Sequence, residues 1–172
     1  RVHLVEDGYD LVVRIGVLED SGLIARRVGD CPLYICAAPQ FVEDHGMPAS
    51  PADIPALPAV IYSLAAAASS WSCRDADGVQ TTVGLRPALY ANSAGMMLDA
   101  CIEGVGVAIL PYFSCAEALA TGRLVRLLPD YDTVPDLGIY VVYPDKRFVP
   151  LKVRSFIDVI AAELVSQEAR PD

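Results

Sequence analysis

Apolar residues run along this chain in short blocks, each closed by a glycine, a proline or a polar turn residue. Residues 11–15 form an apolar run broken by Arg14 alone and bounded by Asp10 and Gly16, which predicts a strand buried on both faces. Residues 33–38 read likewise. Residues 39–45 predict a short helix carrying Phe41 and Val42, stopped by Gly46, because a glycine just past a helix end tolerates positive φ. Ser50-Pro51-Ala-Asp53 is a helix start, with a hydroxyl cap and a proline at the first helical position. Residues 59–63 predict a further strand. The tract 65–70 points two ways, its alanines towards helix and its serines and the nearby Trp71 towards a loop entering an extended segment.

The second half repeats the theme. Residues 85–91 are predicted to be extended, and Asn92-Ser93 then caps a helix in which Met97 and Cys101, and Leu98 and Ile102, lie at i, i+4. Gly104 ends that helix, residues 105–110 predict the next strand, residues 113–121 the next helix, and Gly122 its stop. Residues 124–128 and 137–143 predict strands, with Pro129, Pro135 and Pro144 breaking the pattern between and after them. In the last helix, Val153, Phe156, Ile157, Ile160 and Leu164 follow the spacing of about 3.6 residues that makes one apolar face. Apolar strands alternating with helices predict an α/β fold whose sheets are mainly parallel and covered by helices on both faces. Periodicity alone leaves one sheet or two open.

Length and composition narrow the class. A chain of 172 residues with 53% hydrophobic and 20% charged residues is a folded globular protein with one substantial core or two small lobes. No apolar run approaches the roughly 18–20 residues that span a bilayer, and residues 1–8 lack the apolar core of a secretory signal. Net charge is -9, and Arg26-Arg27 and Lys146-Arg147 are the only adjacent cations, so this segment lacks the basic stripe that DNA binding by counterion release requires. The five cysteines, Cys31, Cys36, Cys73, Cys101 and Cys115, include no C-x-x-C pair and read as buried thiols in a reducing compartment.

Candidate chemistry is sparse. Gly104-Val-Gly106 resembles the start of a nucleotide-binding fingerprint, but these glycines end a helix and open a strand, the reverse of what that motif needs. They read as a cap and a tight helix-to-strand packing. His3 and His45 stand far apart without cysteine or carboxylate neighbours at ligand spacing, and no nucleophile sits beside a base, so neither a metal, a cofactor nor a catalytic set is predicted. Glu6-Asp7, Glu19-Asp20, Glu43-Asp44, Asp75 and Asp77 read as solvated surface. Arg14, isolated in an apolar strand, calls for a partner. Asn92-Ser93 is the one informative junction: a strand end followed by a helix start offers free backbone N–H groups and a positive dipole end. Ordinary capping and recognition of a carboxylate or carbonyl are both open there.

Tyr9-Asp-Leu-Val-Val-Arg-Ile-Gly16 and Glu103-Gly-Val-Gly-Val-Ala-Ile-Leu-Pro111 recur in this order in LysR-type transcriptional regulators. Leu23-Ile-Ala-Arg-Arg27, Ala38-Pro39, Pro51-Ala-Asp53, Gly122-Arg-Leu-Val125, Ile139-Tyr-Val-Val-Tyr-Pro144 and Lys152-Val-Arg-Ser-Phe-Ile-Asp158 fall in matching places. The chain thus resembles that family's effector-binding domain over nearly its whole length. The resemblance implies two α/β lobes like those of type 2 periplasmic binding proteins. Crossovers near Pro39 and Pro144 would leave residues 1–38 with 144–168 as the first lobe, 39–143 as the second and 169–172 as a tail.

Further expectations come with the family. Its effector domain opens with a strand, a long helix and a second strand before the segment matching Tyr9 to Gly16, and a winged helix-turn-helix and linker helix precede that. None is found here, so the resemblance implies an N-terminally truncated fragment with an incomplete first lobe. It implies a small effector, anionic or carbonyl-bearing, between Ile15, Gly16 and Val17 of one lobe and Asn92, Ser93 and Ala94 of the other. It also implies dimers or tetramers of the full-length protein, DNA contact only through the absent N-terminal domain, a cytoplasmic location without membrane contact, and no enzymatic activity. Two rivals share the scaffold: a solute-binding protein of a transport system, which a signal peptide upstream of Arg1 would favour, and an enzyme, which would need a convergent catalytic set.

Overall fold

The computed structural model describes residues 9–17, 24–65, 69–144 and 149–167. In chain order the elements are β1 (Val12–Gly16), β2 (Ile24–Cys31), β3 (Leu33–Ala37), α1 (Pro39–His45), a 3-10 helix (Pro51–Ala56), β4 (Pro58–Tyr62), β5 (Ser70–Arg74), β6 (Gln80–Gly84), β7 (Arg86–Ala91) and α2 (Ala94–Ile102). Then follow β8 (Val107–Pro111), α3 (Tyr112–Ala120), β9 (Val125–Arg126), β10 (Asp132–Val134), β11 (Leu137–Tyr143) and α4 (Leu151–Gln167). They divide into two compact units, one taking the chain up to Cys31 and from Asp136 onward, the other Pro32–Pro135.

The discontinuous unit is built on a three-stranded antiparallel sheet in the order β1-β11-β2. Its apolar centre is β11, where Ile139, Val141 and Val142 are buried. Val153 and Ile157 of α4 are buried as well, as the spacing of the last helix predicts, and α4 packs on β2. An ion pair joins Arg26 on β2 to Asp158 on α4 at 3.7 Å, and Lys152 pairs with Asp10. Phe156, placed by periodicity on the same apolar face, is exposed. The strand β1 also departs from expectation. It is an edge strand with Val13 and Ile15 largely exposed, and Arg14 is exposed too, so this arginine needs no buried partner.

The continuous unit carries a five-stranded mixed sheet in the order β7-β4-β8-β3-β9 and a small antiparallel sheet in the order β10-β5-β6. Strand alternation explains why the runs in β3, β4 and β8 are apolar throughout. Ile35, Ala37, Ala59, Ile61 and Val107 face one core, shared with Phe41 of α1, Ile54 of the 3-10 helix, and Trp71 and Cys73 of β5. Their neighbours Tyr34, Cys36, Val60, Ala108 and Leu110 face a second core, shared with Met97 and Cys101 of α2 and Cys115 and Ala118 of α3. The start at Ser50 is a full capping box, with Asp53 accepting from the Ser50 backbone N–H at 2.9 Å. It opens a 3-10 turn.

Two expectations are corrected here. Among the described residues only β4–β7 and β4–β8 run parallel, and every other pairing is antiparallel, so the sheets are not mainly parallel. The unit boundaries also move. β3 hydrogen-bonds to β8 and β9 and so belongs with residues after Pro32, whereas β11 hydrogen-bonds to β1 and β2 and so belongs to the other unit. The divisions therefore fall at Cys31/Pro32 and Pro135/Asp136 rather than near Pro39 and Pro144.

Gly106 shows what the Gly-Val-Gly sequence is for. A Cβ there would lie 2.5 Å from the Pro58 carbonyl oxygen and 3.0 Å from the Ala59 nitrogen, backbone atoms that cannot rotate away. Gly104 adopts φ +74, the left-handed cap of α2. Replacing Gly106 by alanine is expected to cost about 1–3 kcal/mol of stability by forcing β8 off β4. Urea denaturation of the variant measures it, and a cost near zero would mean that the start of β8 is free to shift.

Candidate functional site

Because β7 and β8 both run parallel to β4, the carboxyl ends of these three strands share one edge of the five-stranded sheet, the edge at which open α/β sheets bind ligands. Ser63 follows β4, Asn92-Ser93 follows β7, and Tyr112 follows β8. The Ser63 N–H donates to the Ala91 carbonyl at 2.8 Å, which ties the first two of these ends together.

At the second, Ser93 is the N-cap of α2 in extended conformation, φ -140 and ψ 146, and its Oγ accepts from the Met96 N–H at 3.3 Å. The Ser93 carbonyl accepts the first helical bond, from Met97 at 3.2 Å. Capping at Met96 leaves the N–H groups of Ala94 and Gly95 without an acceptor inside the helix, where the helix dipole is positive. Asn92, Ser93 and Gly95 are exposed, and a Cβ on Gly95 would meet nothing within 4 Å. The arrangement suits an acceptor atom approaching along the helix axis, and a carboxylate more than a neutral carbonyl. Capping and an open N-terminus are both present, so one does not displace the other. Ser63 is the neighbour that sequence reasoning missed. Its signal was available, since it ends the strand predicted over 59–63, but pairing of that strand with the one before Asn92 is not legible in sequence.

Ile15, Gly16 and Val17 lie in the other unit, at the end of β1, with Ile15 and Gly16 paired to Ile139 and Gly138 of β11. The pairing is antiparallel, so this segment is not the carboxyl end of a parallel strand. Val17 is well exposed.

The remaining candidates have structural roles. His45 stacks on Phe41 with ring centroids 4.1 Å apart, and its Nδ1 lies 3.0 Å from the Phe41 carbonyl. Asp75 accepts from the N–H groups of Asp77 and Val79, closing the β5–β6 turn, and Asp44 accepts from Gln40. Glu43 is exposed. His3, Glu6-Asp7 and Glu19-Asp20 fall outside the described residues. Among the described residues no group of three His, Cys, Asp or Glu is placed to hold a metal ion. All five cysteines are free and buried, and burial pushes the Cys31 thiol up to about 11 and that of Cys101 up to about 12, which keeps both protonated and unreactive near neutral pH.

The fold agrees with what comparison with known proteins finds. The family model described as the LysR substrate binding domain matches residues 1–165. An HTH-type transcriptional regulator of Haemophilus influenzae is 33% identical over 153 residues, which cover 89% of this chain and 52% of that protein. The HTH-type transcriptional regulator PtxR of Pseudomonas aeruginosa is 34% identical over 161 residues, 94% of this chain and 51% of that protein. Among solved structures, the regulatory domain of CrgA, a LysR-type transcriptional regulator from Neisseria meningitidis, superposes with a TM-score of 0.80 at 28% identity, covering 93% of this chain and 78% of that one. The chain therefore belongs to the LysR substrate-binding domain family and is an effector-binding domain of the LysR type. It spans about half the length of the relatives it matches. Among the described residues no helix is long and apolar enough to cross a membrane.

Proposed function

We propose that this domain senses a small anionic metabolite held at the start of α2 by Asn92, Ser93 and Ala94, with Ser63 beside them, and that Ile15, Gly16 and Val17 are further effector-binding residues. The observation that carries the reading is the pair of N–H groups on Ala94 and Gly95, open and dipole-assisted at the end of a parallel strand. A carboxylate there gains charge-assisted hydrogen bonds worth about 1.5–3 kcal/mol each. A carbonyl-bearing ligand gains less.

Binding of such a ligand shifts an equilibrium between arrangements of the intact regulator in proportion to its differential affinity for them. In the intact protein the response passes through self-association as a dimer or tetramer to a winged helix-turn-helix that contacts DNA, in the cytoplasm and without catalysis. The two relatives named above, both HTH-type transcriptional regulators, favour this over a transport solute-binding protein or an enzyme on the same scaffold.

The test is a thermal-shift screen of the purified chain against metabolite carboxylates and their neutral amides or esters, followed by calorimetric titration of whatever stabilises it. A ligand at a hundredfold its Kd stabilises by about 2.7 kcal/mol, which such a screen detects. Stabilisation confined to carboxylates supports the proposal. Tight binding of neutral analogues alone would remove the anion reading.

A further inference from the structure

Among the described residues, most sheet edges are protected against pairing with another chain. β7 carries Arg86, Pro87 and a register shift against β4. β2 carries Arg26, Arg27 and a register shift against β11, and β1 carries Arg14. β9 and β10 are two and three residues long. Charge, proline, irregularity and shortness are the devices that blunt an edge, and β6, the outer strand in the order β10-β5-β6, has none of them. Its five residues, Gln-Thr-Thr-Val-Gly, are uncharged, pair with β5 without a register shift, and are exposed except for Val83, which packs against the core.

The ladder fixes where the other backbone groups of β6 point. The Asp75 N–H donates to the Val79 carbonyl at 3.2 Å and the Leu85 N–H to the Ser69 carbonyl at 2.9 Å. With the continuous register between them, Thr81 and Val83 also direct their bonds to β5. Gln80, Thr82 and Gly84 therefore turn N–H and C=O to the open side. The two ends of this edge differ in charge. The turn before β6 bears Asp77, Arg86 follows at the far end, and both are exposed. Arg74, near the turn, lies one strand in, opposite Asp132 of β10.

We propose that β6 is a self-association edge, at which two copies of this chain pair β6 to β6, antiparallel, about a two-fold axis at Thr82. Gln80 then faces the partner's Gly84, Thr82 faces the partner's Thr82, and each of these pairs exchanges both its hydrogen bonds. Asp77 comes beside the partner's Arg86 on each side of the axis. A second copy fits because antiparallel pairing about one residue closes on itself and sets unlike charges together, whereas parallel pairing would set Asp77 beside the partner's Asp77. At five residues the edge buries less than the roughly 1,200 Å² at which stable interfaces begin, so the contact is weak alone and gains where copies are already held close. It lies within the Pro32–Pro135 unit and uses neither Asn92 nor Ser93, so it stands or falls independently of the effector site.

The experiment is sedimentation velocity of the 172-residue chain from about 1 μM to about 1 mM, the range in which weak contacts titrate. The expected result is a reversible monomer–dimer equilibrium. Thr82→Pro should abolish it with circular dichroism unchanged, because proline lacks the outward N–H yet suits an edge strand. Asp77→Arg and Arg86→Asp should each weaken the dimer about 3- to 10-fold, as two exposed charge pairs turn repulsive, and the double variant should recover it. Arg86 Nη2 also donates to the Ala56 carbonyl at 2.8 Å, so melting temperatures are read alongside; recovery in the double variant cannot come from restoring that bond. The charge exchange decides even where the proline variant folds poorly. A wild type monomeric throughout, a dimer that Thr82→Pro leaves at wild-type affinity, or a double variant no tighter than the singles would each overturn the proposal.

Discussion

Replacing Trp71 by alanine is expected to lower the unfolding free energy of the Pro32–Pro135 unit by about 3–5 kcal/mol. Trp71 is only 1% exposed and is among the largest fully buried side chains. It joins β5 of the small sheet to the core made by α1, the 3-10 helix and one face of the large sheet. Its Nε1–H donates to Thr133 Oγ1 on β10 at 3.1 Å, so truncation opens a cavity and also removes that hydroxyl's donor. Against a typical total of about 5–15 kcal/mol the loss is large enough to populate unfolded molecules near 37 °C. Urea unfolding followed by circular dichroism is the measurement, because the variant has no tryptophan left to fluoresce. Trp71→Phe should cost less, since it fills most of the volume and forfeits the hydrogen bond. A loss under 1 kcal/mol for the alanine variant would mean that the small sheet is not docked on the core as described.

Local pattern and pairing were legible to different degrees, for physical reasons. The runs in β3, β4, β8 and β11 are apolar on successive residues because each strand lies between two packed faces, and a run of that kind reads without knowledge of its neighbours. The helices α1, α2 and α3 end at Gly46, Gly104 and Gly122, each at positive φ, where a glycine costs least. Pairing partners are a different matter. Whether β8 runs parallel or antiparallel to its neighbours depends on residues distant in sequence, and counting helices between strands gave the wrong balance.

The hairpin β5–β6 went unseen because β6, Gln-Thr-Thr-Val-Gly, is mostly exposed and has only Val83 to signal a face. Its partner β5 does alternate, with Trp71 and Cys73 buried, but the signal is masked by the alanine tract before it. β2 carries Arg26, Arg27 and Asp30 on exposed positions and buries only Val28 and Cys31, too few to declare a strand. The boundary error has the same origin as the pairing error. Pro39 and Pro144 are conspicuous breaks in the sequence, but the strands that precede them take their hydrogen bonds from sheets in opposite units, and hydrogen bonding decides membership.

At the candidate site, the strand end, the cap and the open helix start at Asn92-Ser93 were all readable, and the electrostatic question they leave has a clean answer in Ser93→Asp. Aspartate caps a helix as well as serine does and places its charge at the favourable dipole end, so the Met96 N–H keeps an acceptor and thermal stability is expected to hold or rise slightly. The same carboxylate would stand beside the Ala94 and Gly95 N–H groups and compete for them with an anionic effector while repelling it. Affinity is expected to fall about 10- to 100-fold, the equivalent of losing one charge-assisted hydrogen bond. Ser93→Ala separates the two roles. It removes the cap at a cost of about 1 kcal/mol but leaves the open N–H groups in place, so it should weaken binding much less than aspartate does. Calorimetric titration of the three proteins with the stabilising carboxylate, beside their melting temperatures, gives both axes. If Ser93→Asp binds as tightly as wild type, Ser93 only caps α2 and the effector lies elsewhere; if Ser93→Ala loses as much affinity as aspartate, the hydroxyl rather than the helix end makes the contact.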